Sequence, residues 1–328
     1  MNAAPPGLNG VGLDALAAEV RAVRFRIHAE LARMVVGLDD VIDQLLIALL
    51  AGGHVLLEGV PGVAKTTLSK SFARVLGGHY QRVQFTPDLL PSDVTGTYIL
   101  DRKTGEFVLR PGPIFCQVLL ADEVNRAPAK TQSALLEAMQ ESQVTIEGTT
   151  MELPRPFLVL ATQNPVEQEG VYRLPEAQLD RFLIRVTMGY PGHDSEVAML
   201  KLHSRSAAEP DPVLSPAQAL GLQERLPEIH GTDALYHYIV KLAEESRRHP
   251  DVALGASPRA ALSLLRCARA RALLDGRGYV THEDVQRLAP AVLGHRIILR
   301  PEAEIEGRRV DDVIADLLAE VPVQETRR

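Results

Sequence analysis

The sequence predicts an α/β fold, a parallel five-stranded sheet with helices on both faces, followed by a helical region. Two observations predict it. Five short apolar runs, at 54–58, 81–85, 118–121, 157–161 and 182–186, are too short for stable helices and alternate with helical or loop segments. Beyond Tyr190-Pro191-Gly192 such runs stop and helical patterns take over.

Each element has its own signal. Residues 1–12, rich in Pro, Gly and Asn, read as a flexible lead. From 13 to 34, Leu13, Leu16, Ala17, Val20, Val23, Ile27, Leu31 and Met34 recur at helical spacing. A second helix is expected over 39–50, stopped by Gly52-Gly53. Residues 98–110 read as a hairpin turning at Lys103-Thr104-Gly105, and 143–153 as another around Gly148. In the helical region, Ser215-Pro216 and Ser257-Pro258 each place an N-cap serine before a proline at the first helical position. Thr281 with Asp284 resembles a capping box that uses Asp for Glu. The chain is expected to divide into an α/β unit over 13–190 and an all-helical unit with its tail over 191–328.

Composition narrows the function classes. A length of 328 residues suits about two domains, and 46% apolar with 23% charged residues excludes a disordered chain. With 35 Lys+Arg against 42 Asp+Glu, the net charge of −7 argues against a nucleic-acid partner. Cys116 and Cys267 are far apart and read as free core thiols. Ten histidines show no metal-ligand spacing, which points to solvated or hydrogen-bonded roles. The apolar window 41–60 is broken by Asp43, Gln44, His54 and Glu58, so no membrane span is expected, nor any secretory signal, and a cytoplasmic protein is. Arg266, Arg269 and Arg271 read as a solvated helix face.

The strongest chemical signal is Gly59-Val60-Pro61-Gly62-Val63-Ala64-Lys65-Thr66-Thr67, between an apolar strand and a helical run. Glycines let backbone N–H groups curl around an anion, and the helix N-terminus adds about half a positive charge. Lys65 suits the β- and γ-phosphates, and the Thr66 hydroxyl suits Mg²⁺. Ala64 stands where a glycine usually precedes the lysine, and alanine is expected to follow the helix there. Val118-Leu119-Leu120-Ala121-Asp122-Glu123 then delivers two carboxylates at the C-terminal end of a strand, where open α/β sheets place ligands. Asp122 suits the metal shell, and Glu123 suits the polarisation of an attacking water. Asn164 ends the next strand; taken alone, it reads as a turn residue before Pro165.

The phosphate loop, the acidic strand end, Ala161-Thr162-Gln163-Asn164-Pro165 and Leu179-Asp180-Arg181-Phe182 together resemble AAA+ ATPases. Residues 121–132, Ala-Asp-Glu-Val-Asn-Arg-Ala-Pro-Ala-Lys-Thr-Gln, and 84–93, Gln-Phe-Thr-Pro-Asp-Leu-Leu-Pro-Ser-Asp, resemble the MoxR branch. The likeness runs from about residue 30 to 300. It implies an AAA+ core with a helix-2 insertion at 98–110, a hairpin before sensor 1 at 143–153, and a helical lid. It also implies roles that spacing does not supply. Asn164 would be sensor 1, Arg181 an arginine finger reaching a neighbour's ATP, and Arg259 sensor 2. Val35-Val36-Gly37 would line the adenine, and Gln84 would restrain the catalytic glutamate. Without the family, Arg181 reads as paired with Asp180, Arg259 as exposed, Val35 and Val36 as core and Gly37 as a turn.

The implied activity is Mg²⁺-dependent ATP hydrolysis in a ring, expected to be a hexamer. The work would be chaperone-like remodelling or maturation of a partner, often a von Willebrand factor A-domain protein. Two other readings stay open: a magnesium-chelatase-like motor subunit, and an ATP-gated binding module with little turnover.

Overall fold

Side chains alternate across a strand, so a strand buried on both faces must supply apolar residues to two separate cores. The computed structural model describes residues 12–60, 62–163, 172, 174–203 and 208–323. Its strands are β1 (Val55–Gly59), β2 (Tyr80–Gln84), β3 (Gly96–Leu100), β4 (Phe107–Pro111), β5 (Val118–Asp122) and β6 (Gln143–Ile146). β7 (Thr149–Glu152), β8 (Leu158–Gln163), β9 (Ile184–Met188), β10 (Val252–Leu254) and β11 (Ile298–Leu299) follow. Helices α1 (Leu13–Leu31) and α2 (Asp39–Leu50) precede β1, and α3 (Lys65–Val75), α4 (Pro91–Thr95), α5 (Ala129–Glu141) and α6 (Glu176–Leu179) lie between strands. After β9 come α7 (His193–His203), α8 (Pro216–Arg225), α9 (Asp233–Arg248), α10 (Pro258–Leu274), α11 (His282–Leu293), α12 (Pro301–Ile305) and α13 (Val310–Glu320).

Five strands form one sheet in the order β2-β5-β8-β1-β9, and every pairing in it is parallel. Val55, Leu57, Val118, Leu120, Leu158 and Leu160 face one core, which also takes residues of α1, α2, α3 and the C-terminal helices. Leu56, Leu119, Ala121, Val159 and Ala161 face the other, together with α5 and β6. The sheet is thus covered on both sides, as the continuous apolar runs predict. The expected hairpins are β3–β4 and β6–β7, each antiparallel.

Three local differences matter for the site. The first helix ends at Leu31 rather than Met34, and Gly37 turns the chain at φ +73° into α2. That frees Met34, Val35 and Val36 to line a cavity. The fifth strand begins at Ile184, leaving Phe182 as a fully buried plug in the preceding turn. Within the helical region, β10 and β11 form a small antiparallel pair that the helical pattern conceals.

The caps form as the sequence predicts. The Ser215 hydroxyl accepts from the Gln218 amide, and Gln218 reaches back to the Ser215 N–H. Thr281 and Asp284 make the same reciprocal pair, and Ser257 caps α10 through the Ala260 N–H. Of Arg266, Arg269 and Arg271, only Arg266 is exposed, and each has its own partner. Arg266 donates to the carbonyl of Ala51, Arg269 lies 3.4 Å from the Tyr236 hydroxyl, and Arg271 is 3.7 Å from both Asp275 and Asp284. A helix packed on several neighbours turns successive residues toward different ones, so a row of one residue type need not share one role. Both cysteines are buried and free, and no helix among the described residues is long and apolar enough to cross a membrane.

Candidate functional site

The C-terminal ends of β1, β5 and β8 meet at one edge of the sheet, and the turn after β1 leads directly into α3. Gly59 is needed there for packing, because a Cβ would sit 2.4 Å from the Met188 carbonyl oxygen on neighbouring β9. Gly62 adopts φ +86° with open space around its Cα, so the loop curls without filling its own concavity. Ala64 does not follow the helix. It occupies the left-handed region at φ +59° and ψ +21°, and α3 starts only at Lys65. The methyl of an alanine in that region costs about 1 kcal/mol, which is why glycine is the residue expected in its place.

Lys65 curls back over the loop and donates to the Gly59 carbonyl at 2.9 Å. Burial pulls its pKa down, and the carboxylates of Asp122 and Glu123 oppose that shift. A cavity of about 350 Å³ is lined by Gly62, Ala64, Lys65, Thr66, Thr67, Asp122 and Glu123. Acidic groups from the end of β5 therefore face the lysine and threonine at the start of α3, although β8 lies between β5 and β1.

Thr162, on β8, closes that gap, and the sequence motifs do not single it out. Its hydroxyl donates to Asp122 Oδ1 at 2.6 Å and accepts from the Glu123 N–H at 2.8 Å. Arg82, on β2, holds Asp122 Oδ2 at 2.7 Å and Gln84 Oε1 at 2.9 Å. Because that arginine can only donate, the Gln84 amide turns its NH₂ toward Glu123 and bonds Oε2 at 2.6 Å. Arg126 stands 3.2 Å from the same oxygen. Glu123 itself lies in the left-handed region, at φ +56°.

A second cavity of about 310 Å³ shares Gly62, Ala64 and Thr67 with the first. Its other walls include Met34, Val35 and Val36 before α2, with Tyr190, Glu196 and Met199 beyond β9. One apolar compartment thus opens onto one polar, charged compartment across the start of α3. That suits a ligand with a flat apolar end and an anionic end.

Other residues singled out in the sequence lie elsewhere. Arg181 occupies the turn between α6 and β9, half-buried, and Asp180 is not its partner, because the Asp180 carboxylate takes Arg296 at 2.6 Å. Arg259 is exposed in the first turn of α10, outside both cavities, and its charge is felt by Arg296. Gly37 turns the chain beside Ser195; Val63 is buried and lines the second cavity, while Val60 packs against the core. Pro61 and Asn164 lie outside the described residues.

Comparison with known proteins bears on the family and the fold. Residues 54–184 match the family described as "ATPase family associated with various cellular activities (AAA)", and 244–317 match the AAA lid domain. The chain is similar to the Chaperone MoxR1 of Mycobacterium tuberculosis, 45% identical over 98% of this chain and 86% of that one. The chain belongs to the MoxR family of AAA+ ATPases. It is also similar to the Uncharacterized protein YeaC of Bacillus subtilis, 49% identical over 90% of this chain and 93% of the relative. A crystal structure from Cytophaga hutchinsonii superposes with a TM-score of 0.89 at 41% identity, covering 95% of this chain and 98% of that one.

Within a MoxR-family protein, the groups to which motif reading gives no role are those that orient the others: Thr162 and Arg126, inside quoted motifs, and Arg82, outside them. Alternation along β2 carries a partial signal, since Arg82 and Gln84 share one face of a strand whose neighbour ends in Asp122.

Proposed function

We propose that this MoxR-family chain binds ATP across the two joined cavities, hydrolyses it with Mg²⁺, and uses the cycle to remodel or mature a partner protein. The observation that carries this reading is the convergence of Lys65, Thr66, Asp122 and Glu123 on one cavity beside the phosphate loop. Val35 and Val36 would hold the adenine, with Gly37 shaping that turn, and residues 59–67 would hold the triphosphate. Thr66 and Asp122 offer hard oxygen donors, which fit Mg²⁺. The Thr66 side chain is exposed, and Asp122 Oδ1, which accepts from the Thr162 hydroxyl, keeps a further lone pair while Oδ2 takes two N–H groups of Arg82. A bound Mg²⁺ would neutralise charge on the β- and γ-phosphates.

The chain's own groups do the rest. Lys65 would exchange the Gly59 carbonyl for phosphate oxygens. Glu123 would take the proton of an attacking water, using Oε1 while Gln84 and Arg126 hold Oε2. Arg181 and Arg259 line neither of the two cavities. A role for Arg181 at a neighbour's ATP, in a ring expected to be a hexamer, accounts for its position; lid movement would bring Arg259 in. One relative carries the name chaperone, which supports a protein client. A von Willebrand factor A-domain protein is the class to try first.

The test is Glu123→Gln. It should bind ATP normally while hydrolysis falls about 10²–10⁴-fold, and the stalled assembly should retain its client on purification. Turnover at the parental rate would remove Glu123 from catalysis. ATP binding without single-turnover phosphate release from the parental ring would favour the binding-module reading.

A further inference from the structure

The turn that carries Arg181 is held from a distance. Arg296 follows α11 in the C-terminal helical region and is 7% exposed. A guanidinium has five N–H donors in a fixed plane, and all five are engaged here. Nε donates to Asp180 Oδ1 at 2.6 Å. Nη1 donates to the carbonyls of Leu183, at 3.1 Å, and of Val292. Nη2 donates to the carbonyls of Phe182, at 2.6 Å, and Asp180, at 3.5 Å. The adjacent His295 adds a bond from Nε2 to the Phe182 oxygen at 3.0 Å.

These acceptors bracket Arg181 on both sides, whereas the Arg181 side chain has no hydrogen bond or ion pair among the described residues. Its direction is therefore set by the backbone at 180–183, and that backbone is gripped by the end of α11. The Val292 carbonyl ties the same guanidinium to the helix itself. Arg259, at the first turn of α10, opposes the charge of Arg296, so α10 and α11 both bear on the grip.

We propose that Arg296 is a positioning residue for Arg181, a latch through which the helical region of one subunit sets the arginine offered to its neighbour. The proposal rests on the reading of Arg181 as acting across a subunit interface. A shift of α11 would carry Arg296 with it and re-aim Arg181, so the state of the lid in one subunit would be reported at the next subunit's phosphate. A tether that merely closes the two regions together would not have this directional consequence.

Arg296→Lys tests it, because lysine keeps the charge opposite Asp180 but cannot span five acceptors. In the full chain, turnover should fall about 10²-fold, the penalty for a catalytic group displaced by roughly 1 Å. ATP affinity should be unchanged, because the variant's own cleft is intact. Mixing Arg296→Lys in equal amounts with Lys65→Ala, which would bind ATP too weakly to turn it over but supply an intact Arg181, should restore hydrolysis by the Arg296→Lys subunits. Arg181→Ala should show the same rescue. Asp180→Asn, which keeps every carbonyl contact, should give a smaller loss with the same pattern and serves if Arg296→Lys does not fold.

Parental turnover in both latch variants would overturn the latch. So would failure of Lys65→Ala to rescue them in mixtures where Arg181→Ala is rescued. If Arg181→Ala is not rescued in mixed assemblies either, the cross-interface role of Arg181 fails, and the latch fails with it.

Discussion

Two regions of the molecule concentrate charge and use it in opposite ways. Between α1, α2, α10 and α11, ionic groups are paired to each other. Arg24 bonds Asp43 and, at 2.8 Å, Asp275; His28 lies between Asp43 at 2.8 Å and Asp39 at 3.0 Å; Arg277 holds Asp284 at 2.7 Å. In the cleft beside β1, Lys65 bonds only a neutral carbonyl among the described residues, Thr66 is exposed, and Ala64 and Glu123 hold left-handed backbone. The network completes its hydrogen bonding within the fold and so joins helices. The cleft keeps capacity unspent and holds strained backbone, which a fold retains where a ligand will supply the missing partners.

The largest effect that separates the two is expected from Lys65→Ala. Losing a charged donor to phosphate should weaken ATP binding by roughly 10²-fold or more, while thermal stability without nucleotide stays close to the parent. Titration with a fluorescent ATP analogue, alongside a melting curve, checks both halves. Unchanged affinity would contradict the phosphate-loop role.

The mirror-image experiment is Asp43→Asn. It leaves Arg24 and His28, both part-buried, without their main counter-charge, and should cost roughly 2–4 kcal/mol of stability. ATP affinity should change little. Urea unfolding measures the first and nucleotide titration the second; a variant as stable as the parent would show that the network adds no net stability.

Acidity should split the molecule again. His54 is buried; its Nδ1 accepts from the Val159 N–H at 3.0 Å, so Nε2 carries the proton that bonds the Met139 carbonyl at 2.8 Å. Burial pulls its pKa down to about 4. A depressed base binds protons more readily when unfolded, so its contribution is intact above about pH 6.5 and is lost as pH falls toward 4, by up to about 3 kcal/mol. His28 behaves oppositely. Hydrogen bonds to Asp43, then Asp39, raise its pKa against the cost of burial, so its contribution is full below about pH 6.5 and fades as pH rises through the raised value. Melting temperature against pH should therefore fall less steeply between about pH 6.5 and 4 in His54→Gln, and less steeply above about pH 6.5 in His28→Gln.

Much of the cleft was legible in the sequence because its chemistry is local: Gly62, Lys65 and Thr66 lie within five residues, and Asp122 and Glu123 are adjacent. The sheet was legible for the same reason, since each buried strand is one short apolar run. What escaped reading is held by residues far apart in the chain. Thr162 matters because β8 lies between β5 and β1, and strand order is not written in any one segment. Arg266, Arg269 and Arg271 looked like one face until α10 was set among α1, α2 and α9. Arg181 and Asp180 looked like a pair until Arg296, more than a hundred residues later, took the carboxylate.

The smallest expected effect sharpens the contrast most finely. Ala64→Gly removes a Cβ from φ +59°, relieving about 1 kcal/mol. Glycine also loosens the unfolded chain, which costs about 0.4–1 kcal/mol. The two nearly cancel, so the melting temperature should move by no more than about 2 °C. Relief of about 1 kcal/mol sets a ceiling of less than tenfold on any gain in ATP affinity. A larger gain would mean that the alanine holds the loop away from its binding shape, and that the strain stored at position 64 governs nucleotide entry.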